Sequence, residues 1–459
     1  MSEYEAYKGV ATGDKRISAR IVKTLEDISG EPNGSILRTC GDIHQAKGVY
    51  RLIGNEKCKG EEITKVSREE TGKKIRENGE KVIIAAQDTM AVDYSRLEET
   101  SGLGHIGPGG KSRGLMVHSA IGVGENGQTY GLLSQQIWSR EGAERGKAKK
   151  RKSKSIEEKE SKKWLEAIEN IETAGEADEI KYIHICDREG DIYELLAKAA
   201  EIGATYICRR IQNRVVRDKN GEKELINEYI EKLPTAGITE VQVPRDSHTK
   251  REARTARLEI KHGKTTVMKP ANTKRSDGIL ESVEVYVVSA TEIDVPAGVK
   301  EPISWQLITN HAVESFEDAL LCIKRYTMRW KIEIFHYTLK SGCAIEKLQI
   351  STASKLIKLI ALYSVVALHI MFLTFLARAN PDISCETEFT PHHWHILYKV
   401  SNKTSSIPDV PPTIFEAVIM IAKLGGFAAR ISDGFPGVTV IWRGLSKFSA
   451  ILSAAVFLS

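Results

Sequence analysis

Cysteine is scarce in this chain, and its pattern excludes more than it offers. The seven residues, Cys40, Cys58, Cys186, Cys208, Cys322, Cys343 and Cys385, are odd in number. No two have zinc-like spacing. A disulfide framework is therefore not expected, and free thiols in a reducing, cytoplasmic compartment are. Strong charge bias is missing as well. The chain has 66 Lys and Arg against 61 Asp and Glu, a net charge of +5. Overall charge is thus a weak pointer to nucleic acid. The start, Met1-Ser-Glu-Tyr-Glu, lacks the basic-then-apolar pattern of a signal peptide. Internal repeats are not found. Long apolar runs are few. Leu359 to Leu376 is about long enough to cross a bilayer, but it holds Tyr363, Ser364, His369 and Thr374. It is expected to be a buried helix, and no membrane partner is expected.

What is present is an ordinary globular composition, 41% hydrophobic and 28% charged over 459 residues. That length suits about three domains and a large core. The cations cluster locally: seven of the ten residues from Arg145 to Lys154 are Lys or Arg. Such a run suits an exposed loop, and near a phosphate site it favours DNA.

The most informative stretch runs from Tyr326 to Lys340. Tyr326, Arg329, Glu333 and Lys340 are spaced by three, four and seven. On one continuous helix all four fall in a narrow arc. Ile323, Trp330 and Ile334 then form a separate apolar stripe to anchor it. A lone acid among bases suits metal-assisted phosphate chemistry. Intrahelical ion pairs on a solvated face are the plain alternative. Two aspartates tip the balance. Asp88 ends the apolar run Val82-Ile-Ile-Ala-Ala-Gln, and Asp187 ends Tyr182-Ile-His-Ile-Cys. Both runs read as short buried strands. Carboxylates at two strand ends and one on a packed helix supply the hard oxygens that Mg²⁺ or Mn²⁺ prefers.

With those residues in place, the chain resembles the cut-and-paste DNA transposases of the Asp-Asp-Glu class. Within that class it resembles the bacterial insertion-sequence group with a Tyr-Arg-Glu-Lys signature. The matching stretches are Ala86 to Thr89, Lys111 to Ser119, Cys186 to Glu189 with Asp191 and Ile192, the Tyr326–Lys340 segment, and Leu424 to Phe427 with Gly437 and Trp442 to Gly444. Relatives carry a second lysine where this chain has Tyr337. The resemblance implies an α/β fold with a ribonuclease-H-like mixed sheet. It implies that Asp88, Asp187 and Glu333 hold two Mg²⁺ ions, with Mn²⁺ as a substitute, and catalyse nicking, hairpin formation and opening, and strand transfer. Arg329, Lys340 and Tyr326 would bind DNA phosphates. Trp305 would stack on a base flipped from the hairpin, although a core tryptophan fits its strand equally well. The implied partners are double-stranded DNA, as terminal repeats and target, and a second copy of the chain in a synaptic homodimer. A related nuclease without strand transfer, or a catalytically dead DNA-binding descendant, is the alternative.

The organisation expected is a basic helical end-binding module at 1–62, a catalytic domain at 63–378 and a helical dimerisation domain at 379–459. In the first, Asp14–Ile28 and Asp42–Ile53 carry helical patterns, and Arg16, Arg20, Lys23, Arg38 and Lys47 supply the charge. In the second, strands are expected near 82–87, 114–123, 128–137, 181–187 and 204–210, with helices near 156–172 and 190–201. An antiparallel β insertion is expected at about 212–302, returning through Ile303–Thr309. In the third, helices are expected at Phe415–Leu424 and Leu445–Leu458. Gly102-Leu-Gly-His-Ile-Gly107 spells a dinucleotide-binding pattern in the wrong context and reads as a glycine-rich loop. His118, His184 and His336 are candidate ligands or bases, the first two with a core role as the commoner outcome.

Overall fold

The computed structural model describes residues 4–107, 111–140, 154–175, 179–243, 252–271, 273, 279–430 and 433–458. Most of the basic run, 145–153, lies outside the described residues. The chain forms two units. One comprises Met1–Glu80, Thr89–Ala143 and Trp330–Ser459; the other comprises Lys81–Asp88 and Glu144–Arg329. The architecture is α/β, with mixed, largely antiparallel pairing and helical regions at both ends.

The first unit opens with helices α1 (Lys15–Gly30), α2 (Ile36–Cys40), α3 (Ile43–Gly54) and α4 (Gly60–Glu77). Polar side chains set three of the starts. Asp14 accepts from the amide of Arg16, Ser35 from Arg38, and Asp42 from His44 and Gln45. Strand β1 (Val82–Asp93) carries the boundary between the units, after Asp88. Strands β2 (Gly104–Ile106), β3 (Ser112–Gly124) and β4 (Thr129–Trp138) then pair antiparallel, β2 with β3 and β3 with β4. The glycine-rich stretch is thus partly strand, with no helix start.

The second unit adds α5 (Lys162–Gly175), β5 (Lys181–Cys186), α6 (Tyr193–Ile202) and β6 (Thr205–Arg209). Residues Val82–Ala86 of β1 pair in parallel with β5, and β5 in parallel with β6. Next come β7 (Val215–Arg217), β8 (Lys223–Leu225), α7 (Ile226–Lys232), β9 (Thr235–Val243), β10 (Arg254–Met268), β11 (Ser282–Ile293) and β12 (Ser304–Thr309). These strands are antiparallel, as their alternation predicts. They continue the same sheet, because β12 pairs with both β11 and β6. Their apolar faces enter the core beneath α5 and α6. Val267, Val283, Val285 and Val287 pack in one cluster with Trp164, Tyr193, Leu196 and Tyr206.

A buried ion pair holds the root of this extension. The Asp191 carboxylate is fully buried and meets Arg214 at 2.5 Å. It also accepts from the amides of Ile211 and Gln212, both at 2.7 Å. The loop after β5 is thereby tied to the chain leaving β6.

Helix α8 (Phe316–Thr327) closes the second unit. In the first unit the chain continues as α9 (Trp330–Tyr337), a π-helical turn (Thr338–Gly342), α10 (Ala353–Ala379), α11 (Pro391–Asn402), α12 (Ile414–Leu424) and α13 (Val438–Leu458). Among the described residues one helix, α10, is long and apolar enough to cross a membrane, yet 94% of its apolar window is buried. It is a core helix, packed on β4, α4, α1 and α12. Helix α13 begins seven residues before the expected start. Gly444 reads as a breaker, but a Cβ there would lie 1.9 Å from the Ile421 carbonyl oxygen. Its lack of a side chain is what lets α12 and α13 touch.

Replacing Asp191 with Ala would leave Arg214 buried without its carboxylate. The expected cost is about 3–5 kcal/mol, read as an earlier denaturant midpoint. A loss below about 1 kcal/mol would show that the pair does not anchor the extension.

Candidate active site and DNA interface

The expected single helix from Tyr326 to Lys340 is not what forms. Helix α8 ends at Thr327 and α9 starts at Trp330. The cause is local. The Thr327 hydroxyl donates to the Lys324 carbonyl at 2.7 Å, and the amides of Met328 and Arg329 close onto Arg325 and Tyr326 in a tightened turn. Back-bonding of this kind bends helices. Thr338 repeats the move onto Ile334 at 2.8 Å, and the Cys343 amide reaches the Thr338 carbonyl, opening a π turn. Tyr326 therefore sits on α8, Arg329 in the break, Glu333 on α9 and Lys340 in the π turn. They do not lie on one continuous α-helix. The apolar stripe shifts too: Trp330 is 61% exposed, while Ile332, Phe335 and Leu339 are fully buried.

Asp88, Asp187, Tyr326, Arg329 and Trp305 belong to the second unit. Asp88 lies within β1, not at its end. Ala86 pairs with Ile185, so the same register two residues on sets Asp88 level with Asp187. Adjacent strands lie about 4.8 Å apart. Asp187 is turned by the Glu189 amide, which donates to Oδ1 at 2.8 Å, and Glu189 is held by buried Lys163 at 2.9 Å. Arg329 meets the Asp88 carboxylate at 3.4 Å, both side chains mostly buried. Burial pushes the Cys186 thiol far up; Asp187 and Asp88 push the same way, and Arg329 opposes them. The two acids and the guanidinium thus converge around one thiol.

Arg209 was not among the residues singled out from the sequence, and the structure adds it. It leaves β6 beside Tyr326, and its Nη2 donates to the Ser304 carbonyl at 3.1 Å. Burial lowers its pKa; Arg188 and Arg329 lower it further, against Tyr326. Burial raises the Tyr326 phenol, and Arg329 and Arg209 pull it back down. Nothing in its strand pattern distinguishes this arginine from a surface one. Trp305 is half-buried on β12, its ring centred 6.4 Å from that of Tyr326 and tilted by 60°. It is neither a closed core residue nor a free platform.

Glu333 and Lys340 belong to the first unit. Lys340 pairs with Glu346 at 3.1 Å, and Glu346 also accepts from the Asp93 amide at 3.0 Å. Among the described residues, no group of three or more His, Cys, Asp or Glu is gathered closely enough to hold a metal ion. The histidines act locally. His184 is fully buried between Gln87 at 2.9 Å and Glu172 at 2.7 Å. His118 meets Thr89 at 2.9 Å. His336 sits on α9, its ring 5.9 Å from that of Phe335.

The N-terminal module presents a different surface. Four of its five expected cations are engaged internally: Arg16 with Asp14, Arg20 with Gln45, Lys23 with Asp27 and Arg38 with Glu31. Helices α2 and α3 are joined through Gly41 in the left-handed region and Asp42. Helix α3 turns Ile43, Lys47, Tyr50 and Arg51 outward, with Ile43 51% and Tyr50 46% exposed. Positions 43, 47, 50 and 51 share one face. Cations interleaved with apolar groups on an open helix face suit a DNA groove.

Comparison with known proteins agrees at both ends of the chain. Residues 5–58 match the family model described as Transposase DNA-binding. Residues 365–458 match that of the Transposase Tn5 dimerisation domain. Among solved structures, the chain is similar to a cryo-EM structure of the piggyBac transposase synaptic complex with hairpin DNA. That match has 8% identity and a TM-score of 0.32, covering 90% of this chain and 81% of that one, too slight a likeness to carry inference. The two terminal matches support a Tn5-type transposase, a DNA-processing enzyme that binds DNA and dimerises.

Proposed function

We propose that the chain is a cut-and-paste transposase of the Asp-Asp-Glu class with the Tyr-Arg-Glu-Lys signature, on a ribonuclease-H-like core. The observation that supports this reading is the parallel register of β1 and β5, which pairs Ala86 with Ile185; continued for two residues it would bring Asp88 and Asp187 level. Two partly buried carboxylates so placed would be a hard-oxygen platform, which fits Mg²⁺ or Mn²⁺. Glu333, the third acid of the reading, would complete the set for two ions. Bound there, the ions supply Lewis acidity to the phosphoryl group in flight.

The remaining work falls to the chain itself. Arg329 now neutralises Asp88. On ion binding it would be released to a phosphate of the cleaved end, for which its planar fork is suited. Arg209 and Tyr326 present a donor pair beside it, and Lys340 a further cation. Trp305 would stack on an unpaired base while a hairpin forms and reopens. Residues 5–58 would hold the terminal repeat through α3, and residues 365–458 would join two copies in the synaptic dimer. Nicking, hairpin formation, hairpin opening and strand transfer would follow in that order, on DNA in the cytoplasm.

The direct test is incubation with DNA carrying the element's terminal repeats and Mg²⁺ or Mn²⁺. Hairpin ends and joined products are expected. Asp88→Ala, Asp187→Ala and Glu333→Ala should each abolish cleavage and leave end binding intact. Substantial cleavage by any one would remove that residue from the site.

Trp305→Ala should slow the hairpin steps and spare the first nick. Unstacking costs a few kcal/mol, and a stacking platform offsets about 1–3 kcal/mol of it. Step-resolved kinetics beside thermal melts decide the matter. An early melt with uniform loss of every step would make Trp305 a packing residue only.

Two substitutions separate the roles on α3. Lys47→Ala should reduce the salt slope of end binding by about one, as one phosphate contact requires. Tyr50→Ala should lower affinity and leave that slope unchanged. Anisotropy titrations across salt concentrations would show it. Unaltered binding by both would exclude this face.

A further inference from the structure

A pair of cations lies in the first unit. Lys331 on α9 rests its ammonium 3.2 Å from the centroid of the Phe375 ring. Arg378, in the last turn of α10, places its guanidinium 4.9 Å from the same ring and 5.8 Å from that of Phe435. Arg378 Nη2 donates to the Pro436 carbonyl at 2.7 Å, and its Nε is buried without a partner. Among the described residues, neither cation is paired with a carboxylate. Burial, and next the neighbouring Arg378, lower the Lys331 pKa to about 7, so an anion arriving at the pair would draw Lys331 to its charged form. Phe435 stands beside them 54% exposed, its ring packed edge-on against Phe415 at 5.8 Å.

We propose that Lys331 and Arg378, with Phe435 at their margin, form a phosphate-binding subsite for a DNA strand. The proposal rests on the transposase reading above. An arginine fork, a lysine and an exposed aromatic ring are the components that grip a nucleic-acid backbone and its sugar or base faces. A carboxylate of a second copy is the rival occupant, since Phe375, Arg378 and Phe435 lie in the segment that matches a dimerisation domain. The exposed ring favours the nucleic acid, because it has a base or sugar face to meet there. Lys331 and Glu333 are two positions apart on α9, which places them roughly 200° apart around the helix. The phosphate held is therefore not the one undergoing cleavage, but one of a flanking stretch.

The test uses the intact wild-type chain with duplex DNA that carries a terminal repeat and its flank. Lysines are acetylated with and without DNA, and each is quantified by mass spectrometry. Several-fold protection of Lys331 is expected. The double variant Lys331→Gln, Arg378→Gln should also lose about two from the salt slope, at roughly 0.9 per phosphate. The charge-keeping pair Lys331→Arg, Arg378→Lys should restore most of it. DNA binding with Lys331 equally reactive, or with an unchanged slope, overturns the subsite and leaves the transposase reading standing. An intact slope with a weakened dimer by sedimentation assigns the cations to the partner's carboxylates and also overturns it. Failure of the wild-type chain to bind DNA sinks the transposase reading as well. If the variants do not fold, the wild-type protection measurement decides alone.

Discussion

The parallel ladder between β1 and β5 constrains everything at the acidic centre. Its register pairs Ala86 with Ile185, and Asp88 and Asp187 each follow two residues later. Two carboxylates brought close together repel. A fold keeps such a pair only if something opposes the repulsion. Here Arg329 sits on Asp88, the Glu189 amide turns Asp187, and a buried lysine holds Glu189. Of these groups, Arg329 stands in the break between two helices, where a long side chain can move at little cost to the backbone.

The same logic explains why the extension of the sheet is rooted so firmly. Asp191 lies four residues after Asp187, fully buried, and accepts from two amides and an arginine on the chain leaving β6. Movement of the β7–β11 strands would pull on the loop that sets Asp187. Tyr326 and Trp305 belong to that mechanical unit too, since β12 bonds to β6 and the two rings meet across it. Trp305, Arg209 and Asp88 thus belong to one sheet.

Much of this was legible in the sequence, and the reason is burial. The runs before Asp88 and Asp187 are continuously apolar because β1 and β5 are covered on both faces. Their strands appear where the pattern puts them. Asp14 and Asp42 mark α1 and α3 because an N-cap carboxylate has a physical task that few other residues perform. The errors come from hydrogen bonds that pattern does not encode. No glycine or proline marks the break after Thr327; the Thr327 hydroxyl bonds back to the Lys324 carbonyl there, and Trp330 is exposed. Gly444 signals a breaker in sequence and a close helix contact in space. Arg209 has no signal at all, since its role depends on Tyr326, over a hundred residues away. The charge of the N-terminal module was overstated, because four of its five expected cations are already engaged within it.

That last point shifts attention from charge to placement. With four of the five singled-out cations engaged, an outward row on α3 stands out, and such a row could read sequence only if the helix is held rigidly. The structure supplies the hold from the apolar core helix. Lys358 of α10 donates to the carbonyls of Ile53 and Asn55, at 2.9 and 2.8 Å. Those carbonyls lie at the C-terminal end of α3, where the helix dipole is negative and a cation is most favourable. The bond does two things. It satisfies acceptors that the helix end leaves open, and it ties the row of Ile43, Lys47, Tyr50 and Arg51 to α10, the most deeply buried helix of its unit. The apolar run that resembles a membrane span is therefore the footing on which α3 stands.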